Sequence, residues 1–260
     1  MRILHLSDLH FGTETEDLQR DLIAHIKATP ADLAIISGDF TQLGTNPEFR
    51  KARKFMDGLD MPVFCVPGNH DIPRMHLMGR FFDPYRRYIR HISPVLSPVL
   101  HLDGVTIAGI NTARRVLPHW NWAHGGVSRA QLKHLDSVFG RTPRDLKICV
   151  MHHPVQKVRE HNFNTIVYGA KRAMRALEEM EVDIVLTGHT HHASVTTFES
   201  EDHRMVFLSA STALSTRLRL HKNGYNTIEI YPDRVSMNIY SYENGTFDCQ
   251  QSLDYARETL

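Results

Sequence analysis

The chain has 260 residues, 42% of them apolar and 23% charged, which places it with ordinary globular proteins and apart from disordered or membrane-embedded chains. Lysine and arginine total 30 against 29 aspartates and glutamates, so the footprint of a dedicated nucleic-acid binder is missing. No apolar run approaches the roughly 20 residues that span a bilayer, and three scattered cysteines, Cys65, Cys149 and Cys249, suit neither a disulfide framework nor a thiolate metal site.

The opening "MRILHLSDLH" enters a strand pattern at once, without the apolar stretch and cleavage site of a signal peptide. With so few cysteines, the expectation is a reduced, cytoplasmic protein. "RILHLS" (2–7), "DLAIIS" (32–37), "MPVFCV" (61–66), "VTIAGI" (105–110), "LKICVM" (146–151) and "VDIVLT" (182–187) read as buried strands. Helical spacing between them predicts helices over 17–28, 46–58, 128–140 and 168–180. Asn46 is the expected cap of the second, and Ser128 with Gln131 forms a capping box for the third. The stretch 72–100 is the least regular and reads as helix and loop near a site. After residue 190 the helices stop, and four strand patterns from about 193 predict an added antiparallel layer. No linker or repeat interrupts the chain, so one domain over 1–260 is expected.

Histidine is the anomaly, at 18 residues. "GHTHH" (188–192) crowds three of them behind a glycine at the end of an apolar strand. Other strand ends carry similar chemistry: Asp8 and His10 after the first, Asp39 after the second, Asn69, His70 and Asp71 after the third, His152 and His153 after "LKICVM". In α/β sheets the carboxyl ends of parallel strands converge on the ligand crevice. Carboxylates, an amide oxygen and imidazoles in that number suit two divalent ions sharing a carboxylate, about 3.5–4 Å apart. Residues two apart on an extended chain share a side, so Asp8 with His10, and His189 with His191, are each expected to reach one ion. Gly38, Gly68 and Gly188 fit tight turns or close backbone approach before the ligands.

The ordered set D-x-H, G-D, G-N-H-D, H-x-P and G-H-x-H, running from Asp8 to His191, resembles the calcineurin-like metallophosphoesterase superfamily. The small size resembles its bacterial cyclic-AMP phosphodiesterase branch, and "HGGVSRAQLKHL" and "SASTALSTRLR" are similar to segments of that branch. The resemblance implies a four-layer α/β/β/α sandwich with two mixed sheets, the C-terminal strands completing the second. It implies that Asp8, His10 and His191 hold one ion, that Asn69, His152 and His189 hold the other, and that Asp39 bridges. Manganese or iron is expected foremost, with zinc next. His70, oriented by Asp71, is expected beside the leaving group, with a metal-bridging hydroxide as the attacking group. His153 is expected behind the metals or in packing, and His192 is given no role.

The implied activity is hydrolysis of small phosphodiesters, cyclic nucleotides among them. Alternatives on the same scaffold are a nucleoside-diphospho-lipid pyrophosphatase, a glycerophosphodiesterase or a nuclease, and further off a non-catalytic scaffold. Whether Arg114, Arg115, Trp120, Trp122, Arg217 and Arg219 bind substrate or pack the domain edge stays open, as does a homodimer.

Overall fold

The computed structural model describes residues 1–74, 76–116, 121, 123–156, 167–200, 203–216 and 222–256. Trp120, Trp122, Arg217 and Arg219 lie outside the described residues. In chain order the first half runs β1 (Arg2–Leu6), α1 (Glu16–Ala28), β2 (Leu33–Ile36), α2 (Asn46–Asp57) and β3 (Val63–Cys65). After a 3₁₀ turn at Asn69–Asp71 come α3 (Leu77–Phe82), α4 (Arg86–His91), β4 (Val99–Leu102) and β5 (Val105–Ile110). The next stretch holds β6 (Gly125–Gly126), α5 (Arg129–Phe139), β7 (Leu146–Met151), β8 (Val167–Tyr168), α6 (Ala170–Glu179) and β9 (Ile184–Thr187). Five strands close the chain: β10 (Ser194–Glu199), β11 (Arg204–Ser209), β12 (Gly224–Ile230), β13 (Arg234–Glu243) and β14 (Thr246–Ala256).

Two mixed six-stranded sheets result, ordered β14-β13-β12-β1-β2-β3 and β10-β11-β9-β7-β5-β4, with β6 and β8 as a separate pair. Strand alternation decides which core each residue joins. Ile3, Leu33 and Ile35 of the first sheet meet Ile107, Ile148 and Leu186 of the second in a slab between the sheets. Their neighbours Leu4, Ala34 and Ile36 face the other way, onto Leu18, Leu22 and Ile26 of α1 and Phe49 and Phe55 of α2. Cys149, Met151 and Val185 face α5 and α6 through Leu132, Leu135 and Leu177. Helices therefore cover the outer face of each sheet, the α/β/β/α layering that the family resemblance implies.

Three expectations change. The C-terminal strands do not form one antiparallel layer completing the second sheet. β10 and β11 extend the second sheet, with β11 parallel to β9, and β12, β13 and β14 extend the first. A fifth strand, β14, follows the four expected ones; of its residues only Phe247 is buried, with Leu253 and Tyr255 half-buried against the slab. The cap of α2 is Thr45, whose backbone N–H donates to Glu48 at 2.9 Å, while Asn46 is already helical. The box at Ser128 and Gln131 forms as read, with Gln131 N–H donating to Ser128 Oγ at 3.2 Å. No described helix is long and apolar enough to cross a membrane.

Candidate metal centre

The predicted residues meet where β1, β2, β3, β7 and β9 end. Segment 8–11 runs beside 38–41, with Asp8 N–H donating to Gly38 O and His10 N–H to Asp39 O, both at 3.0 Å. Within the second sheet, past the ends of the adjacent strands β9 and β7, Gly188 N–H donates to His152 O at 3.0 Å. The extended geometry expected for D-x-H is not what brings the ligands together. Asp8, His10, Asp39, His189 and His191 all have positive φ, from 45° to 70°. Such left-handed backbone costs roughly 1–2 kcal/mol at a non-glycine residue and gathers where the surrounding structure fixes it, commonly at functional sites.

Close approach explains the glycines. A Cβ on Gly188 would lie 1.8 Å from Ser7 Oγ and 2.5 Å from Asp8 Oδ2. One on Gly68 would lie 2.1 Å from Asp39 Oδ1. Neither residue has room for a side chain.

Each carboxylate is anchored by one oxygen and offers the other. Asp8 Oδ2 accepts from His189 N–H at 2.8 Å, leaving Oδ1 buried without a hydrogen-bond partner. Asp39 Oδ1 accepts from His70 N–H at 2.8 Å. Asp39 Oδ2 then stands 3.6 Å from His10 Nε2 and 3.3 Å from His152 Nε2, between two groups of donor atoms. One group is Asp8 Oδ1, His10 Nε2 and His191 Nε2, with the two nitrogens 3.0 Å apart and His191 Nε2 3.2 Å from the carboxylate. The other is Asn69 Oδ1, His152 Nε2 and His189 Nδ1, separated by 3.0–3.3 Å. Two metal–ligand bonds of about 2.1 Å meeting at roughly 90–110° place their ligand atoms about 3.0–3.4 Å apart. The donor set and its spacing fit a pair of divalent ions with a shared Asp39 oxygen.

Electrostatics agree. Burial alone would raise the Asp8 carboxyl, but the imidazoles of His191 and His10 override it and hold it well below the usual range. Burial is likewise overridden at Asp39, by His152 and His70, so both carboxylates stay ionised. His152 is oriented through Nδ1, which donates to Ser37 O at 2.8 Å and leaves Nε2 facing inward.

His153 belongs to the same cluster of rings, 4.5 Å from His189 centre to centre, yet both its nitrogens are committed to protein. Nε2 donates to Ala123 O at 3.1 Å, so Nδ1 is the acceptor, 2.8 Å from Thr112 Oγ1. Burial keeps this ring neutral. It ties Thr112 and Ala123 to the end of β7, and Gly125 is bare because a Cβ there would lie 2.5 Å from the His153 ring. His192 is buried.

His70 faces His10 edge-on at 4.7 Å. Its orientation does not come from Asp71, contrary to expectation. Nδ1 lies 2.7 Å from Gln42 O, and a carbonyl only accepts, so Nδ1 carries the proton and Nε2 is left for the site. Asp71 instead accepts from Thr41 N–H, Thr41 Oγ1 and Gly68 N–H at 2.9–3.1 Å, holding together the loops that carry Asp39 and Asn69. Gln42 and Ser37 escaped the sequence reading because both act through backbone carbonyls, which no side chain announces. Thr212, whose Oγ1 donates to Asp8 O at 2.6 Å, escaped because its hydroxyl comes from 204 residues away. Arg114 packs on Gln131 and Arg115 on Phe81 O, so both are tied into the protein itself.

A sequence model of the calcineurin-like phosphoesterase family matches residues 1–193, and the chain belongs to that family. It is a metal-dependent hydrolase of phosphoric esters. Among curated proteins it is 26% identical to a probable glycerophosphodiester phosphodiesterase GpdQ of Arcobacter nitrofigilis, over 94% of this chain and 90% of that one. It is 24% identical to a probable cyclic nucleotide phosphodiesterase of Synechococcus sp., over 75% of each. Among solved structures it shares its fold with a dimetal phosphatase from Danio rerio, at TM-score 0.72 and 14% identity over 98% of both chains. A purple acid phosphatase from yellow lupin matches at TM-score 0.70 and 11% identity, over 99% of this chain and 54% of that one.

Proposed function

We propose that the chain hydrolyses small phosphodiesters, cyclic nucleotides among them, at a centre of two divalent ions. The observation that carries this reading is Asp39 Oδ2 lying between two donor groups while His70 Nε2 faces the same space. Asp8, His10 and His191 would hold one ion, Asn69, His152 and His189 the other, and Asp39 both. Manganese or iron suits these mixed oxygen and nitrogen donors, with zinc next. When bound, such ions neutralise phosphate oxygens and lower the pKa of water toward roughly 7.

The chain's own groups do the rest. Gln42 O fixes the His70 ring with its Nδ1 proton turned away, so proton delivery to the leaving oxygen falls to Nε2. Burial depresses the His70 pKa, and a phosphate anion entering the site opposes that depression. Asp71 keeps the Asp39 and Asn69 loops in register.

Steady-state rates on cyclic AMP, a bis-nitrophenyl diester and a nitrophenyl monoester, all with manganese, test the reading. Diesters are expected to lead in kcat/KM. A monoester preference of about tenfold, worth about 1.4 kcal/mol in the transition state, overturns it. Glycerophosphodiesters are the second reading, supported by the relative of that name matched along 94% of the chain. Diester cleavage without turnover of cyclic AMP would select it.

A further inference from the structure

A second surface stands beside the centre, and its composition is unlike the rest of the chain. Between Ile72 and His91 lie five arginines, Arg74, Arg80, Arg86, Arg87 and Arg90, against one carboxylate, Asp83. The chain as a whole is balanced, so this segment concentrates positive charge. It is also apolar outside. Phe82 is 77% exposed and Met78 64%, with Phe81 and Ile89 beside them in sequence. Val116, also exposed, joins them because Arg115 Nη1 donates to Phe81 O at 3.1 Å.

Arg80 shows that this arrangement is built. Its residue is 1% exposed. Nε donates to Arg115 O at 3.1 Å and Nη1 to Pro73 O at 3.4 Å. Tyr85 hydroxyl donates to Ala113 O at 2.6 Å. Helices α3 and α4 and the 113–116 loop are thereby tied together, with an arginine inside and phenylalanines outside. That reverses the ordinary partition of these residues. Single exposed apolar residues need no explanation, but several within one arginine-rich segment mark an interaction surface.

Arg74, Arg86, Arg90 and Arg115 make no ion pair among the described residues, and all four are exposed.

We propose that this face docks on an anionic lipid surface. Met78, Phe81 and Phe82 enter the boundary between headgroups and acyl chains, and Arg74, Arg86, Arg90 and Arg115 meet lipid phosphates. A second copy of the chain is a poorer occupant. Two-fold symmetry sets the patch against itself, arginine against arginine, and like charges facing each other across an interface cost several kcal/mol. The face begins three residues after Asp71, so a docked molecule holds its metal centre close to the bilayer.

Co-sedimentation of the full chain with vesicles of phosphatidylcholine, alone or mixed with phosphatidylglycerol, tests this. The chain is expected to pellet with the mixed vesicles only, and less as salt rises. Loss of each arginine is expected to weaken binding about fivefold, so Arg86→Glu with Arg90→Glu, which also adds two repelled carboxylates, loses at least about 25-fold. Phe82→Ser, at the most exposed position, also weakens it. Both variants keep wild-type hydrolysis of a soluble bis-nitrophenyl diester, which reports an intact fold and centre. Vesicle binding is read without catalysis, so failure of the diesterase reading leaves it standing. The proposal is overturned if the chain ignores anionic vesicles or if both variants bind as well as wild type. It is equally overturned if sedimentation shows a dimer that both variants dissolve, or if only an acidic protein, and no vesicle, binds the face.

Discussion

The slab between the two sheets and the loops at the strand ends are organised on opposite terms. In the slab, Ile3, Ile35, Ile107, Ile148 and Leu186 follow one another by alternation, and any branched apolar side chain of similar volume would serve. In the loops the backbone is left-handed at five proposed ligand positions, and glycines stand where a Cβ would collide. The slab is specified by a pattern and the loops by individual residues. Changes in the loops should therefore cost function in discrete steps, each tied to one atom.

The harshest test of that contrast is Asp39→Ala. It removes the oxygen shared by both donor groups, so both ions should be lost, with kcat/KM falling on the order of 1,000-fold, about 4 kcal/mol. Metal analysis of the variant is decisive, because two ions retained at wild-type affinity would refute a shared ligand. Next comes His70→Ala, expected to keep its metals and lose roughly 100-fold in turnover. The loss should be greater for alkoxide than for nitrophenoxide leaving groups, and equal losses would argue against proton delivery by Nε2.

The adjacent pair His152 and His153 sharpens the comparison within two residues. His152→Ala should release metal from its site. His153→Ala should keep both ions and lose activity by a smaller factor, within the roughly 10–100-fold typical of groups behind a ligand. The reverse order would exchange their roles.

The gentlest test concerns His5, a polar intruder in the slab. Its Nε2 lies 3.0 Å from Ser37 Oγ and its Nδ1 3.2 Å from Asn226 Nδ2. Burial lowers its pKa to about 3. The unfolded chain takes up that proton near 6.5, whereas the folded chain does not until about 3. The stability this neutral ring supports is therefore present above pH 6.5 and falls by about 1.4 kcal/mol per pH unit as the medium acidifies. Relative to wild type, His5→Gln should gain about 2 kcal/mol between pH 7 and pH 5, read from urea unfolding midpoints. A constant difference between the two proteins would show that His5 does not carry the proton.

What could be read in the sequence follows the same division. The slab strands were legible because alternation and apolar runs are local signals. The chemistry of the centre was legible because Asp8, Asp39, Asn69, His152 and His189 each follow an apolar run. Its geometry was not: D-x-H looked extended, and both its ends turned out left-handed. Asp71 looked like the partner of His70, but a neighbouring carbonyl took that place. Strands β4 and β14 were missed for a related reason. The first hides among prolines, and the second is an edge strand whose alternation, Phe247, Cys249, Leu253 and Tyr255, is broken at Gln251 and carried by few buried residues.

Strand β1 has a consequence for the order in which the molecule can be made. It delivers Asp8 and His10, and it lies inside its sheet between β2 and β12, where Arg2 meets Glu229 across 227 residues of chain. A ribosome that has finished residue 193 has already supplied every proposed ligand. It has not yet supplied the strand that closes β1. Such distant pairings form slowly. The nascent chain therefore holds β1 as an open strand edge, a template for wrong partners, until synthesis has passed residue 230.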